Sequence, residues 1–265
     1  AERRLCRGAV VARAYSEIHE SRSGRVRFAW KEWMLAFPRA FRRRIAGFVL
    51  AALITVGGCA FGAFAISMDP SSRTVIMPFP HLLIPPEKRV ALVEVSCGAA
   101  SGGQHSAFSS ELMTHNIRVT LFTMGAGLTW GVGSVLLLFY NGVVLGAVAA
   151  DYIQAGQIRF LLGWLLPHGA VEIPAILLGG QAGFLLASAL IGWGERRPRS
   201  DRLRAIGPDL VAICGGAAAL LVWAGIVEAF ISQYHEPVLP YAAKIAFGGL
   251  ECGALGIYLL LAGRK

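Results

Sequence analysis

The stretch LPHGAVEIPAI, residues 166–176, places Pro167, His168, Glu172 and Pro174 in otherwise apolar sequence. On a helix, His168 and Glu172 are one turn apart and share a face. A histidine and a carboxylate at that spacing can pass a proton, contribute to a metal site, or hold a helix junction by hydrogen bonding. Three more isolated charges, Arg159, Glu228 and Lys244, lie in apolar surroundings. Counting ~1.5 Å per residue from the ends of their segments brings them to the same depth as His168 and Glu172. Two cations, two carboxylates and a histidine in one layer can neutralise each other, as ionisable groups inside membranes do. Asp151 and Glu251 count to a deeper layer with no evident cation. The expectation there is a protonated carboxyl or one lining a wet cavity.

Sharper chemistries lack their signatures. Zinc proteolysis uses two histidines flanking a glutamate on one helix turn, whereas this chain has His-x-x-x-Glu with no second histidine close by. Ser134, in GVGSV, lacks the context of a serine nucleophile, and there is no P-loop, dinucleotide fingerprint or haem-ligand pattern. The expectation is a non-enzyme with no catalytic residues, no metal and no cofactor. The His168 region reads either as a structural polar junction or as a proton- or ion-handling site. Pro167 and Gly169 predict that one helix ends and another starts there, with Glu172 in the new first turn, where a carboxylate is favoured.

Those residues must be positioned by long apolar segments. The chain is 55% hydrophobic and 15% charged, and its apolar residues come in blocks without a 3.6-residue alternation. Ile45–Met68 has no charge; Ile117–Tyr140 has only Arg118; Ala170–Gly194 has only Glu172; Leu210–Ile231 has only Glu228; Ala242–Ala262 has only Lys244 and Glu251. Each reaches the roughly 20 residues that a ~30 Å hydrocarbon layer requires. Asn141–Leu166 is interrupted by Asp151, Gln154, Gln157 and Arg159, with Gly156 as a break point. It reads as one broken or tilted crossing, with a re-entrant segment as the alternative. The fold class is all-α, a polytopic helical membrane bundle of about six crossings.

Residues 22–44 carry eight basic residues against one acid, and the loop 194–204 carries five against two, while the long loop 69–116 has three against four. Six crossings put the basic segments on one side, so both termini are expected in the cytoplasm and loop 69–116 outside. This division gives a segment 1–44 and a transmembrane domain 45–265, with a cytoplasmic loop 194–207. The net charge of +9 is then topology and contact with anionic lipid headgroups, not nucleic-acid binding. Trp30, Trp33, Met34, Phe37 and Phe41 form one apolar stripe, followed by Arg42, Arg43 and Arg44. That is the pattern of an interfacial helix, interrupted or kinked at Pro38, that docks a partner or sets the angle of the first crossing. Five cysteines show neither a disulfide framework nor a metal motif, and residues 1–20 show no cleavable signal. The first residue is Ala, not Met. Glycines spaced by four (Gly58/Gly62, Gly127/Gly131, Gly142/Gly146, Gly179/Gly183, Gly249/Gly253) predict closely packed helices.

Three stretches carry a resemblance. AFSSELMTHNIRVTLFTMGAGLTWGVGSVLLLFYNGVVLGA (107–147), PHGAVEIPAILLGGQAGFLLASALI (167–191) and IVEAFIS (226–232) resemble, in order and spacing, the stage II sporulation protein M family of integral membrane proteins. The resemblance implies a bacterial inner-membrane protein. In spore formers the family member is a scaffold for peptidoglycan hydrolases during engulfment. The expected function is therefore a non-enzymatic scaffold or subunit that positions partners in a membrane or envelope-remodelling complex, with a homo-oligomer as a further possibility. The alternative is a transporter or channel subunit using Asp151, Glu172, Glu228 and Glu251.

Overall fold

The structure, a computed structural model, describes residues 30–78, 80–98, 102–232, 234 and 238–264. The chain divides into two compact units, Ala1–Met34 and Leu35–Lys265. Of the first, Trp30–Met34 are described, as the opening turn of helix α1 (Trp30–Arg43); everything below concerns the second.

Helix α1 is continuous through Pro38 rather than interrupted. A proline removes one backbone hydrogen bond, and the turn around it is pinned by Phe37 and Phe41, both buried in the core. A break at Arg44 separates α1 from α2 (Ile45–Met68). Its carbonyls do not go unpaired, because Gln181 Nε2 donates to Phe41 O at 3.1 Å and to Arg44 O at 2.9 Å. Asp69 then caps a 3₁₀ turn, Pro70–Ser72, by accepting from the Ser71 amide. The Ser71 hydroxyl also donates to it, and these bonds hold its carboxyl below the usual carboxylate range. Short elements follow: α3 (Arg73–Ile76), a 3₁₀ turn at Pro80–Leu83 and α4 (Pro86–Gly98). The long helices resume with α5 (Gly102–Gly125), α6 (Val132–Gln154), α7 (Ile158–Ile191), α8 (Arg199–Val227, prolonged by a π turn at Glu228–Ser232) and α9 (Tyr241–Leu261).

Two boundaries differ from the sequence reading. The apolar block 117–140 is not one crossing: it is divided by a 3₁₀ turn at Ala126–Leu128 and a turn where Trp130 and Gly131 have positive φ. Asn141–Leu166 is not one broken crossing either. Its first half completes α6, and its second half opens α7 after a turn at Gly156, whose φ is +72°. Hydropathy alone misplaces both edges because the turn residues Ala126–Gly131 are themselves apolar or small, so the block stays apolar through the reversal. Among the described residues, five helical segments are long and apolar enough to cross a membrane. The sixth long helix, α5, has a polar first half.

The packing is built on glycine. A Cβ added at Gly58, Gly62, Gly142 or Gly146 would sit 2.0–2.2 Å from a carbonyl oxygen of the facing helix. The facing pairs, Thr55–Gly142 and Cys59–Gly146, advance together, so α2 and α6 run parallel with backbones in contact. Gly179 and Gly183 of α7 admit Thr120 and Thr123 of α5 in the same way. Gly249 and Gly253 meet no atom within 4 Å. Large apolar side chains such as Leu53, Phe64 and Leu250 point outward, while Thr55, Ser134 and Gln181 are buried. This arrangement suits a hydrocarbon solvent, where apolar surface need not hide and polar groups must pair internally. Arg44, the start of α8 and the end of α9 gather at one end of the bundle, called here the basic end; Asp151 and the loop helices α3 and α4 lie at the other.

Candidate functional site

Helix α7 supplies the site. Its 34 residues span ~51 Å at ~1.5 Å each, longer than the hydrocarbon layer. Pro167 and Pro174 lie inside it, and it neither ends nor restarts at Gly169. The expected helix start at Glu172 is therefore corrected: Glu172 is mid-helix. Without water to compete for the backbone, a membrane helix keeps its remaining hydrogen bonds across a proline. Trp164, His168 and Glu172 consequently stack on one face at successive turns.

The partners of that face come from other helices. His168, 2% exposed, places Nδ1 2.9 Å from Glu228 Oε2 and 3.2 Å from Ser232 Oγ. Glu228 and Ser232 are the first and last residues of the π turn, a widened helical turn that often marks functional positions. Trp164 meets the His168 ring edge-to-face at 5.9 Å. Glu172, 4% exposed, accepts from Asn116 Nδ2 of α5 at 2.5 Å. Lys244, 1% exposed, donates to Ser232 O at 3.0 Å and Tyr234 O at 2.8 Å, satisfying carbonyls released where α8 ends. A cavity of about 120 Å³ lies beside this cluster, lined by His115, Asn116, Asn141, Trp164, His168 and Glu172 along with apolar side chains. The arrangement can share a proton between His168 and Glu228 and offers an apolar recess with a polar end. Among the described residues no three His, Cys, Asp or Glu side chains converge as metal ligands.

His168, Glu172, Glu228 and Lys244 are thus brought together, as their depth count implies. Arg159 is exposed, near the start of α7. Asp151 is a correction: instead of a midplane carboxyl without a cation, it lies three residues from the end of α6, and two loop arginines hold it. Arg73 donates to one of its oxygens, and Arg89 Nη2 donates to the other at 2.6 Å. The Arg89 guanidinium also lies 4.5 Å over the Tyr152 ring. Glu251 accepts from Trp223 Nε1, across the α8–α9 contact. The Trp30 side chain lies outside the described residues, and Trp33 is half-buried. Phe37 packs on Gly216 and Tyr258, and Phe41 on Phe48. Arg42 donates to Leu259 O and Ala262 O, both at 2.7 Å, while Arg43 and Arg44 pair with Asp209. The sequence reading missed Asn116, Asn141, Trp164 and Ser232 as site members. The two asparagines had a signal, being amide side chains in apolar segments.

The family model for stage II sporulation protein M matches residues 50–233, more than half of the chain. The chain belongs to that family. The matched segment contains Asn116, Asp151, His168, Glu172 and Glu228, whereas α1, Lys244 and Glu251 lie outside it. An uncharacterized protein of Methanocaldococcus jannaschii is 27% identical over 74 residues, 28% of this chain and 42% of that protein. The chain thus covers less than half the length of this relative. No solved structure matches.

Proposed function

We propose that this member of the stage II sporulation protein M family is a non-enzymatic, multi-pass scaffold of the bacterial inner membrane that positions partner proteins. Both termini and the basic end face the cytoplasm, and the partners are envelope-remodelling proteins, peptidoglycan hydrolases among them. The observation that carries this reading is the use made of Asp151. Its carboxylate is clamped by Arg73 and Arg89 of the loop, which fixes α3 and α4 onto the bundle as a platform. A buried guanidinium–carboxylate cluster is strongly destabilised when one partner is lost, so such a platform holds one geometry. At the basic end, Arg42 closes the carbonyls of α9 and Arg43 and Arg44 hold Asp209, which fixes the elbow after α1 in the same way.

In a background without native cysteines, Cys placed at Glu87 should react with a membrane-impermeant maleimide in intact cells, and Cys at Ser200 only after permeabilisation. Reaction of both under one condition contradicts the orientation. A second reading, proton or ion handling at His168 and Glu172, draws on the cavity beside those two side chains.

A further inference from the structure

At the basic end, a cavity of about 450 Å³ lies between Arg44, the end of α7 and the start of α8, lined by Trp193, Glu195, Arg197 and Arg202 among others. Its charges are unevenly matched. Arg44 Nε contacts Asp209 Oδ2 at 2.8 Å, and Arg197 contacts Glu195 at 2.5 Å. Arg202 has no carboxylate partner among the described residues, although it is 8% exposed. Among the described residues its hydrogen bonding amounts to one long contact, Nη2 to Leu190 O at 3.5 Å, and its buried Nε has no partner there. A guanidinium presents five donors in a planar fork that fits a phosphate or carboxylate group two bonds at a time. A guanidinium so largely buried, with its Nε unpartnered, is costly unless an oxyanion in the recess completes it.

The local backbone is shaped to admit this side chain. Gly192 ends α7 with φ +62°, and a Cβ there would fall 0.8 Å from Arg202 Nη1. Trp193 is 94% exposed, as expected of an aromatic anchor at headgroup level. The recess is far larger than the ~30 Å³ share of one water, so it has room for a phosphoryl group.

We propose that this recess is a phosphate-type anion site, with Arg202 as its principal ligand and Arg44 and Arg197 at its margins. A basic recess at the membrane surface takes such a group from an anionic phospholipid headgroup or from free phosphate. The test uses the full chain purified in detergent, with thermal unfolding followed during separate titrations of phosphatidylglycerol, phosphatidylcholine and inorganic phosphate. The wild type should be stabilised by phosphatidylglycerol and not by phosphatidylcholine. Arg202→Gln should weaken the half-saturating concentration by roughly tenfold or more, the scale of one lost charged hydrogen bond. Arg202→Lys, which keeps the charge and loses the fork, should fall between the two, and it carries the test if the glutamine variant does not fold. Equal stabilisation by millimolar inorganic phosphate supports the site and assigns its source to the free anion. Stabilisation that is the same for both lipids and absent with phosphate, or that persists undiminished in Arg202→Gln and Arg202→Lys, overturns the proposal.

Discussion

At Glu172 a single carboxylate is held by a single amide, Asn116, beside the His168–Glu228 pair. Removing one member of such a buried set leaves a polar group without its partner, at a cost of roughly 1–3 kcal/mol. Glu172→Ala should therefore lower the unfolding temperature in detergent, and Glu172→Gln, which keeps an acceptor for Asn116, should do so less. A proton- or ion-handling site gives the reverse pattern, with Gln abolishing activity in cells while stability stays at wild type. The pairing of His168 with Glu172 on one face was legible from the i, i+4 spacing alone. The asparagine was harder to find, because uncharged amides do not stand out in a hydropathy scan. Asp151 was misplaced because depth was counted along its own segment, and no count of that kind reveals arginines returning from a distant loop. Ionisable residues inside membranes are expected to pair, and here the pair is 62 and 78 positions away in sequence.

Helix packing can be tested by contrasting glycines that look alike in sequence. Gly58, Gly62, Gly142 and Gly146 leave no room for a methyl group, while Gly253 has open space around it. Gly146→Ala should destabilise the protein by about 1–3 kcal/mol, the usual cost of overpacking, and Gly146→Leu should prevent folding. Gly253→Ala should change stability by less than about 0.5 kcal/mol, as measured by thermal unfolding in detergent. Equal effects at the two positions would show that the α2–α6 contact is not as close as described. Spacing by four correctly marked Gly58/Gly62 and Gly142/Gly146 as contact pairs, but it could not say which pairs face each other or which face outward. Helix ends were the least legible elements. Gly156 was recognisable as a break point, whereas the reversal at Ala126–Gly131 was hidden by its own apolarity. Pro167 with Gly169 resembled a helix boundary, yet a low-dielectric surrounding keeps α7 helical through both.

For the molecule as a whole, sequence established the class: apolar blocks of about 20 residues with at most two charges each permit little except a helical membrane bundle. The clustering of basic residues at one end was equally plain from their positions. What no hydropathy pattern contains is the clamp that ties the loop helices to the bundle, and the scaffold reading depends on it. The most direct measurement places a photoreactive amino acid at Val75, which is 85% exposed on α3, and irradiates intact cells. The account predicts discrete crosslinks to envelope proteins in the wild type. It also predicts their loss in Asp151→Asn when the crosslinked product is normalised to the amount of the protein in the membrane. If no crosslink forms from Val75 in the wild type, or if the same crosslinks survive in Asp151→Asn, the clamped platform is not what positions partners and the scaffold account is contradicted.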